Sequence, residues 1–303
     1  MVANLQSLAL SPAEEFESLL VRTFAAGMRG LSWQRSLRVG AGIGDLVMTI
    51  GVRRRTAEDN LARAFPSWPE DRRRQVLRDH YRELGRVVAE YARLAELARA
   101  PEGEVFAEVR GAEHLERARL ERKGAILLSG HFGNFELAGA FLGRMNPVDL
   151  VVRPLSNPGV EALIARQREA AGVGQIPAGA SLRRVYEALR ANRWVALVAD
   201  QDARRHGTFV SFLGRPASTP IGPARLSLAT GAPIIMGFCV RRTDGLHELH
   251  VDPPLKVEDP AAGDAPERLT ALHTARLEEW VRRHPELWFW LHRRWKTPPP
   301  PAG

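Results

Sequence analysis

The stretch AILLSGHFGNFE, residues 125–136, joins two kinds of local pattern within a dozen positions. Its apolar start, from Ala125 to Ser129, has the length and composition of a buried strand. Gly130 and Gly133 then flank His131, and the apolar residues that follow Asn134 have helical spacing. The stretch therefore predicts a strand, a glycine-containing turn that holds a histidine, and a helix.

The sequence on both sides repeats this change from strand to helix. Further short apolar runs occur at 148–152, 194–199 and 232–236, and helical patterns lie near 134–144, 157–172 and 180–192. Alternation of this kind predicts an α/β fold, with a mainly parallel sheet flanked by helices. After the Asp244-Gly245 turn, Glu248 to Val251 is expected to add an antiparallel strand, and a last helix should run from Pro266 to Arg283.

The first 100 residues have a different character, because their apolar positions follow helical rather than strand spacing. Ser67, followed by Pro69 and Glu70, predicts the start of a helix that continues to about Leu97. We therefore expect residues 1–100 to form a helical, membrane-proximal extension and residues 101–303 to form the α/β domain. The two parts are expected to make one continuous structural unit.

The charge and composition of the chain indicate what kind of molecule it binds and how it meets a membrane. The formal net charge of +8 favours an anionic partner, such as a lipid surface or an acidic carrier protein. No window approaches the roughly 18 apolar residues that a membrane span needs. Residues 19–50 instead mix apolar groups with arginines, which suits a helix at a membrane interface and equally an amphipathic helix packed on the core. The single cysteine, Cys239, lies in an apolar run and is expected to be buried.

Candidate chemistry centres on His131 and Glu136, a histidine and a carboxylate five positions apart. Two other pairs share this spacing, but their contexts separate the side chains. His247 and Asp252 would point to opposite faces of a strand. The other pair is His273 and Glu278, in a predicted helix. Five residues of a helix advance by about 500°, so these two side chains would point about 140° apart. Only at a turn between strand and helix can such a pair meet, although the spacing also fits a helix cap at Gly133.

An imidazole in that turn is suited to act as a general base that takes a proton from a hydroxyl group, and a nearby carboxylate would orient it. Arg153 and Asp200 each follow a predicted strand, so they should reach the same edge of the sheet as His131. We expect Arg153 to bind phosphate or polarise a carbonyl, and Asp200 to position Arg153 or the acceptor. Backbone amides near Gly133 and Asn134 are candidates for binding an oxyanion or a phosphate.

Several blocks of sequence together resemble a known family. They are the blocks at 130–136 (GHFGNFE), 153–158 (RPLSNP), 200–202 (DQD), 209–217 (FVSFLGRPA) and 288–296 (WFWLHRRWK). In this order they are similar to the late acyltransferases of lipid A biosynthesis, the lauroyl and myristoyl transferases of the lysophospholipid acyltransferase superfamily. The resemblance covers roughly residues 50–298.

The resemblance implies that His131 and Glu136 form a catalytic dyad, and that Arg153 and Asp200 belong to the site. It also places Arg215 near a phosphate of the acceptor. The implied donor is acyl-carrier protein, the acceptor is a phosphorylated glycolipid, and the workplace is the cytoplasmic face of the inner membrane. Neither a metal ion nor a redox cofactor is implied.

Alternatives remain at this stage. The enzyme could use acyl-CoA and act on a phosphatidylinositol mannoside or a lysophospholipid, or the chain could bind anionic lipid without catalysis. Trp288, Trp290 and Trp295 fit either an interfacial patch or the core. The basic composition would also suit nucleic acid, but no nucleic-acid-binding module is visible, so nucleic acid is not expected as a partner.

Overall fold

A computed structural model of the chain describes residues 10–179 and 182–300. The described part of the chain starts with helices, and its first strand begins at Phe106. The helices before that strand are α1 (Pro12–Arg29), α2 (Trp33–Ile50), α3 (Arg54–Ala64), α4 (Glu70–Tyr91) and α5 (Leu94–Ala98). This confirms the helical N-terminal region.

The remainder alternates strands with helices, as predicted. The strands are β1 (Phe106–Arg110), β2 (Ala125–Ser129), β3 (Val148–Val152), β4 (Gly174–Pro177), β5 (Trp194–Val198), β6 (Thr208–Phe212), β7 (Arg215–Thr219), β8 (Ile234–Arg241) and β9 (His247–Val251). The helices are α6 (Ala112–Glu121), α7 (Phe135–Leu142), α8 (Pro158–Ala170), α9 (Leu182–Arg190), α10 (Gly222–Thr230) and α11 (Ala265–Arg283). The α/β fold class is confirmed, and the predicted antiparallel strand and last helix are both present.

The main sheet has seven strands in the order β1-β9-β8-β2-β5-β3-β4. The neighbouring strands β8, β2, β5, β3 and β4 all run parallel to one another, whereas β9 pairs antiparallel with β8. β6 and β7 form a separate antiparallel hairpin. Because β2, β5 and β3 are neighbours and parallel, the loops that follow them meet at one edge of the sheet.

Both faces of the sheet are covered, and the side chains of β2 show how. Ile126 and Leu128 pack into a core layer that includes α4, α10 and α11, whereas Ala125 faces a second layer with α5, α6 and α7. This alternation follows from the two-residue period of a strand. Trp288 and Trp290 are buried in the first layer, so their assignment to the core is confirmed and an interfacial role for them is wrong.

The predicted helix 67–97 differs from the observed structure at both ends. Its N-cap is Pro69 rather than Ser67. The helix is also interrupted near Arg93, between α4 and α5. The buried Arg93 donates a hydrogen bond to the carbonyl of Leu31, and it thereby ties this break to the turn between α1 and α2. The apolar spacing of the sequence continues through this interruption, so the spacing alone predicts one continuous helix.

Close packing of α2 on α4 explains the glycines at 40–44, whose pattern resembles a nucleotide-binding loop. Gly40 and Gly44 lie inside α2, where an added Cβ atom would collide with the backbone of Gly85 or Tyr81 in α4. Small residues at such a crossing allow two helices to approach closely. Along the described ranges of the chain, no helix is long and apolar enough to cross a membrane.

A buried network of charges joins α4 to the sheet. Glu90, which is 0% exposed, accepts two hydrogen bonds of 2.7 Å from the Arg241 guanidinium of β8. Glu83 also pairs with Arg241, and His247 of β9 lies 2.9 Å from a Glu90 oxygen. Burial alone would raise the pKa of Glu90, but the charges of Arg241 and His247 hold it well below its usual range. Charges this deeply buried are stable only with partners that satisfy them.

We expect Glu90→Gln to lower the free energy of unfolding by about 3 kcal/mol, because it removes one partner from a buried ion pair while Glu83 still neutralises part of the Arg241 charge. Denaturant unfolding would measure the loss. The matched control is Glu58→Gln, since Glu58 pairs with Arg54 at 2.8 Å but is half exposed. That change should cost less than about 1 kcal/mol. Equal losses in the two variants would show that the buried network is not a special source of stability.

Candidate active site

The site lies where β2 and β5 end side by side. His131 follows Ser129 and Gly130 at the end of β2, and Asp200 follows Ala199 at the end of β5. The His131 backbone N–H donates a hydrogen bond to Asp200 Oδ2 at 2.8 Å, and its Nδ1 lies 2.7 Å from Asp200 Oδ1. One carboxylate therefore holds both the main chain and the ring of His131.

Asp200 is only 3% exposed and has a third donor. The indole N–H of Trp288 donates to Asp200 Oδ2 at 2.8 Å. Burial by itself raises the pKa of Asp200, but the charge and hydrogen bonds of His131, with the Trp288 bond, lower it to about 2. Asp200 is therefore ionised at neutral pH and can only accept hydrogen bonds.

Asp200 also sets the state of the imidazole. An ionised carboxylate at Nδ1 requires a proton on that nitrogen, so the neutral ring keeps its lone pair on Nε2. Burial lowers the pKa of His131, but the Asp200 carboxylate outweighs burial, and with a smaller contribution from Glu136 the pKa is raised above its usual value. Nε2 lies 3.4 Å from the Gln201 side-chain nitrogen, and the ring packs edge-on against Phe135. This is the geometry of a general base whose reactive nitrogen is not consumed by the carboxylate.

Glu136 does not make the predicted hydrogen bond to His131. Both of its oxygens accept bonds from the Arg168 guanidinium of α8, at 2.7 and 2.9 Å. α7 starts at Phe135, with Asn134 rather than Gly133 as its N-cap, so Glu136 leaves the first turn toward α8. The orienting role expected of Glu136 is thus held by Asp200, and Glu136 acts on the imidazole only through its charge.

Asn134 is 1% exposed, and its side chain is not positioned to contact a substrate. Its side chain accepts from the Leu137 N–H at 3.1 Å and donates to Glu90 at 2.8 Å, so it caps α7 and connects it to the buried network. The Gly133 amide, expected to bind an oxyanion or phosphate, instead donates to the Leu287 carbonyl at 2.9 Å. The Gly133 amide and the Asn134 side chain are thus hydrogen-bonded inside the protein, and substrate binding by Asn134 stays a prediction that concerns its backbone N–H.

The two predicted arginines lie at the surface in different places. Arg153 follows β3, beside β5, and is exposed; within 10–179 and 182–300 its side chain has no hydrogen bond or ion pair. The predicted contact between Arg153 and Asp200 is absent, because Asp200 is occupied by His131 and Trp288. Arg215 is exposed at the turn of the β6–β7 hairpin, opposite Phe212, and does not contact His131.

An apolar cavity of about 60 Å³ lies beside the histidine. Phe135, which contacts the His131 ring, forms part of its wall together with Glu136 and Arg168. Apart from Ser129 and two glycines, the other wall residues are aliphatic, and they come mainly from strands of the main sheet and from α7, among them Leu127, Leu142, Leu150, Val173, Leu197 and Leu249. The lining is chemically compatible with hydrocarbon, but a cavity of this volume holds only a small part of an acyl chain, since ligand pockets usually measure about 300–1,000 Å³.

The sequence did not predict two contacts of the site, the pairing of Arg168 with Glu136 and the hydrogen bond from Trp288 to Asp200. Arg168 lies 32 positions from its partner Glu136, and Trp288 lies 88 positions from Asp200. Neither has a local pattern that marks it. The block at 288–296 did draw attention to Trp288, but its ring reads equally well as core packing until the hydrogen bond is seen.

A His–Asp pair at a strand end, with an apolar cavity close by, is an arrangement suited to an enzyme that removes a proton from its substrate. Residues 9–297 match the family described as bacterial lipid A biosynthesis acyltransferase. The match spans most of the sequence, and the chain belongs to this family. It is accordingly an O-acyltransferase.

Individual relatives agree with this assignment. The chain is 27% identical over 265 residues to a lipid A biosynthesis palmitoleoyltransferase of Escherichia coli (strain K12), which covers 86% of this chain and 85% of that protein. It is 28% identical over 271 residues to a lipid A biosynthesis lauroyltransferase of the same strain, with 86% and 85% covered. A phosphatidylinositol mannoside acyltransferase of Mycobacterium tuberculosis (strain ATCC 25618 / H37Rv) is 32% identical over 192 residues, which cover 61% of this chain and 58% of that protein.

The role of Asp200 predicts a specific pH dependence. If neutral His131 is the base, kcat/KM should rise with pH through the raised pKa of His131. In Asp200→Asn the carboxylate charge is gone and burial, which lowers the pKa, remains, so the rise should move to lower pH. The maximal rate should fall by about 100-fold or more, since the imidazolium loses its stabilising charge.

The pH profile of Glu136→Gln is the comparison, measured on the same substrates. Its rise should move less than that of Asp200→Asn, because Glu136 is the smaller influence on His131. A larger shift for Glu136→Gln would return the orienting role to Glu136.

Proposed function

We propose that the enzyme transfers a fatty acyl group from the thioester of acyl-carrier protein to a hydroxyl of a lipid A precursor or a similar phosphorylated glycolipid. The observation that carries this proposal is the His131–Asp200 pair, which leaves Nε2 without a carboxylate partner and whose ring packs on Phe135, a wall residue of an apolar cavity. Membership in the lipid A acyltransferase family supports the acceptor class.

In the proposed reaction, His131 Nε2 takes the proton of the acceptor hydroxyl as its oxygen attacks the thioester carbonyl. The Asp200 carboxylate stabilises the imidazolium that forms. The tetrahedral intermediate then collapses, the carbon–sulfur bond breaks, and the imidazolium returns its proton to the leaving thiolate. The products are an ester and a free thiol, and His131 is again neutral.

Other residues have proposed supporting roles. Glu136 and Arg168 neutralise each other in the wall of the cavity, and so they shape it without leaving an unpaired charge against the acyl chain. Arg153, exposed and unpaired beside β5, is placed to bind an acceptor phosphate, for which a guanidinium fork is well suited. By the resemblance alone, Arg215 would also contribute to phosphate binding.

We also propose that the enzyme works at the cytoplasmic face of the inner membrane, held peripherally by its first two helices. Val39, Leu46 and Ile50 lie within about 40° of one another on α2 and are exposed, with Ile50 at 70%. α1 exposes Phe16, Leu19 and Leu20. Exposed arginines accompany both groups at 22, 35 and 38. Apolar stripes with nearby cations bind the interface of an anionic bilayer.

A second candidate is acyl transfer from acyl-CoA to a phosphatidylinositol mannoside. The identity of 32% to the Mycobacterium tuberculosis enzyme favours it. The two candidates differ in donor and acceptor but share the base and the cavity. A panel of both donors against both acceptors separates them, because the pair with the higher kcat/KM identifies the reaction.

The proposed mechanism predicts that His131→Ala abolishes acyl transfer and leaves the fold intact, since His131 is a base at a strand end and not a core residue. Mass spectrometry of lipids from cells with and without the protein would show the added acyl chain, and the variant should give the pattern of cells without it. Asp252→Asn is the control: Asp252 has the same spacing from His247 but pairs with Arg276. Acyl transfer by a folded His131→Ala protein would disprove the mechanism.

The proposed membrane surface predicts that Leu46→Glu/Ile50→Glu reduces co-sedimentation with phosphatidylglycerol-containing vesicles by about 10-fold, because two apolar anchors become like charges of the lipid. High salt should also release much of the wild-type protein. Leu120→Glu is the matched control, since Leu120 is 65% exposed but lies on α6. Equal loss in this control, or resistance of the wild type to salt and alkaline carbonate, would contradict peripheral binding through α2.

A further inference from the structure

Two surface segments meet beside the active site. The loop after β5, residues 201–207, contacts the C-terminal segment 288–297. The Asp202 N–H donates to His292 Nε2 at 3.0 Å. Asp202 also accepts hydrogen bonds from Thr297, at 3.0 Å from its backbone N–H and 2.8 Å from its hydroxyl. Because Asp202 is two residues from Asp200 and Trp288 binds Asp200, this paired surface begins next to His131.

These segments expose a group of unpaired cations, which we call the cationic rim: Arg204, Arg205, Arg293 and Lys296. Among the residues that the structure describes, none of their side chains has a hydrogen bond or ion pair. The two segments contain one carboxylate, Asp202, which is bonded to the neutral Thr297, so a single negative charge stands against the four cations and the net charge stays positive. The rim is thus a concentrated positive field close to the catalytic base.

The rim lacks what a bilayer surface requires. None of the exposed large apolar side chains in the described ranges belongs to 201–216 or 288–297. Trp288 and Trp290 point into the core, and the other two large rings of the C-terminal segment, Phe289 and Trp295, are partly buried against it. The apolar stripes that suit lipid are on α1 and α2, so the molecule has one face for a membrane and a separate, purely cationic one.

We propose that the cationic rim is the docking surface for an acidic carrier protein that delivers the acyl thioester. This inference rests on the proposed function, which makes that carrier the donor. A carrier that presents its acyl group on an arm must dock near His131, and the rim is next to it. Opposite charge on the two surfaces speeds encounter and fixes orientation, so the effect should appear mainly in KM and should weaken with salt.

The test compares two double charge reversals. Arg205→Glu/Arg293→Glu changes the rim, and Lys123→Glu/Arg190→Glu changes exposed cations that precede β2 and β5, at the opposite edge of the sheet. Each is assayed with lauroyl-loaded acyl-carrier protein and with lauroyl-pantetheine, which has the same thioester without the acidic protein. For the rim variant, kcat/KM with the carrier should fall about 10-fold or more, mostly through KM, and should be unchanged with lauroyl-pantetheine. The control should match the wild type on both donors.

Each other result overturns the proposal. Equal loss on both donors would assign the rim to the acceptor or to the fold, and no loss on either would leave it without a docking role. Loss of vesicle binding together with unchanged carrier kinetics would assign it to lipid.

Binding of carrier protein to His131→Ala enzyme, measured by calorimetry, tests the rim without catalysis. If the wild type transfers from neither donor, the proposed function is contradicted. The docking proposal is still supported if the rim variant, made in the His131→Ala background, binds the carrier protein about 10-fold more weakly. Undiminished binding by that variant would overturn the rim proposal by itself.

Discussion

Glu90 is a carboxylate without solvent contact, and its burial requires partners from several parts of the chain. Arg241 of β8 and His247 of β9 attach it to the sheet, and Asn134 attaches it to the start of α7. The helical N-terminal region is thereby bonded to the same helix that carries Glu136. A charge with no access to water has few alternative arrangements, so this network fixes how α4, the sheet and α7 are placed relative to one another.

Two carboxylates lie near His131, and the one that orients its ring is Asp200 rather than the predicted Glu136. Asp200 is buried at the end of the neighbouring strand and holds the ring by Nδ1, while Glu136, in the next helix, neutralises Arg168 at the cavity wall. Asp200 accepts hydrogen bonds from His131 and Trp288, and Glu136 accepts them from Arg168. The separation leaves Nε2 of His131 with no carboxylate partner, only the Gln201 side chain at 3.4 Å, and it pairs Glu136 with Arg168 at the cavity wall. Both features suit the proposed acyl transfer.

The surface shows a similar division. Exposed apolar residues accompany arginines on α1 and α2, whereas the cationic rim beside the base has no exposed large apolar group. In the proposed function, the acceptor lipid comes from a membrane and the donor is carried by a soluble acidic protein. In that scheme, the apolar surface of α1 and α2 serves the lipid acceptor and the cationic rim serves the donor.

Local patterns in the sequence determined most of the elements. Apolar runs predicted β2, β3, β5 and β8, the turn at Gly245 predicted β9, and the position of His131 just past β2 placed it at the sheet edge. The same patterns missed the short strands β1 and β4, the β6–β7 hairpin and the break near Arg93, where local apolar spacing is weak or uninterrupted. Only the tertiary structure decided which carboxylate meets His131, because Asp200 reaches it across 69 positions through the pairing of β2 with β5. Spacing along a chain constrains side chains within one element, whereas hydrogen bonds between strand ends depend on sheet order, which no local pattern records.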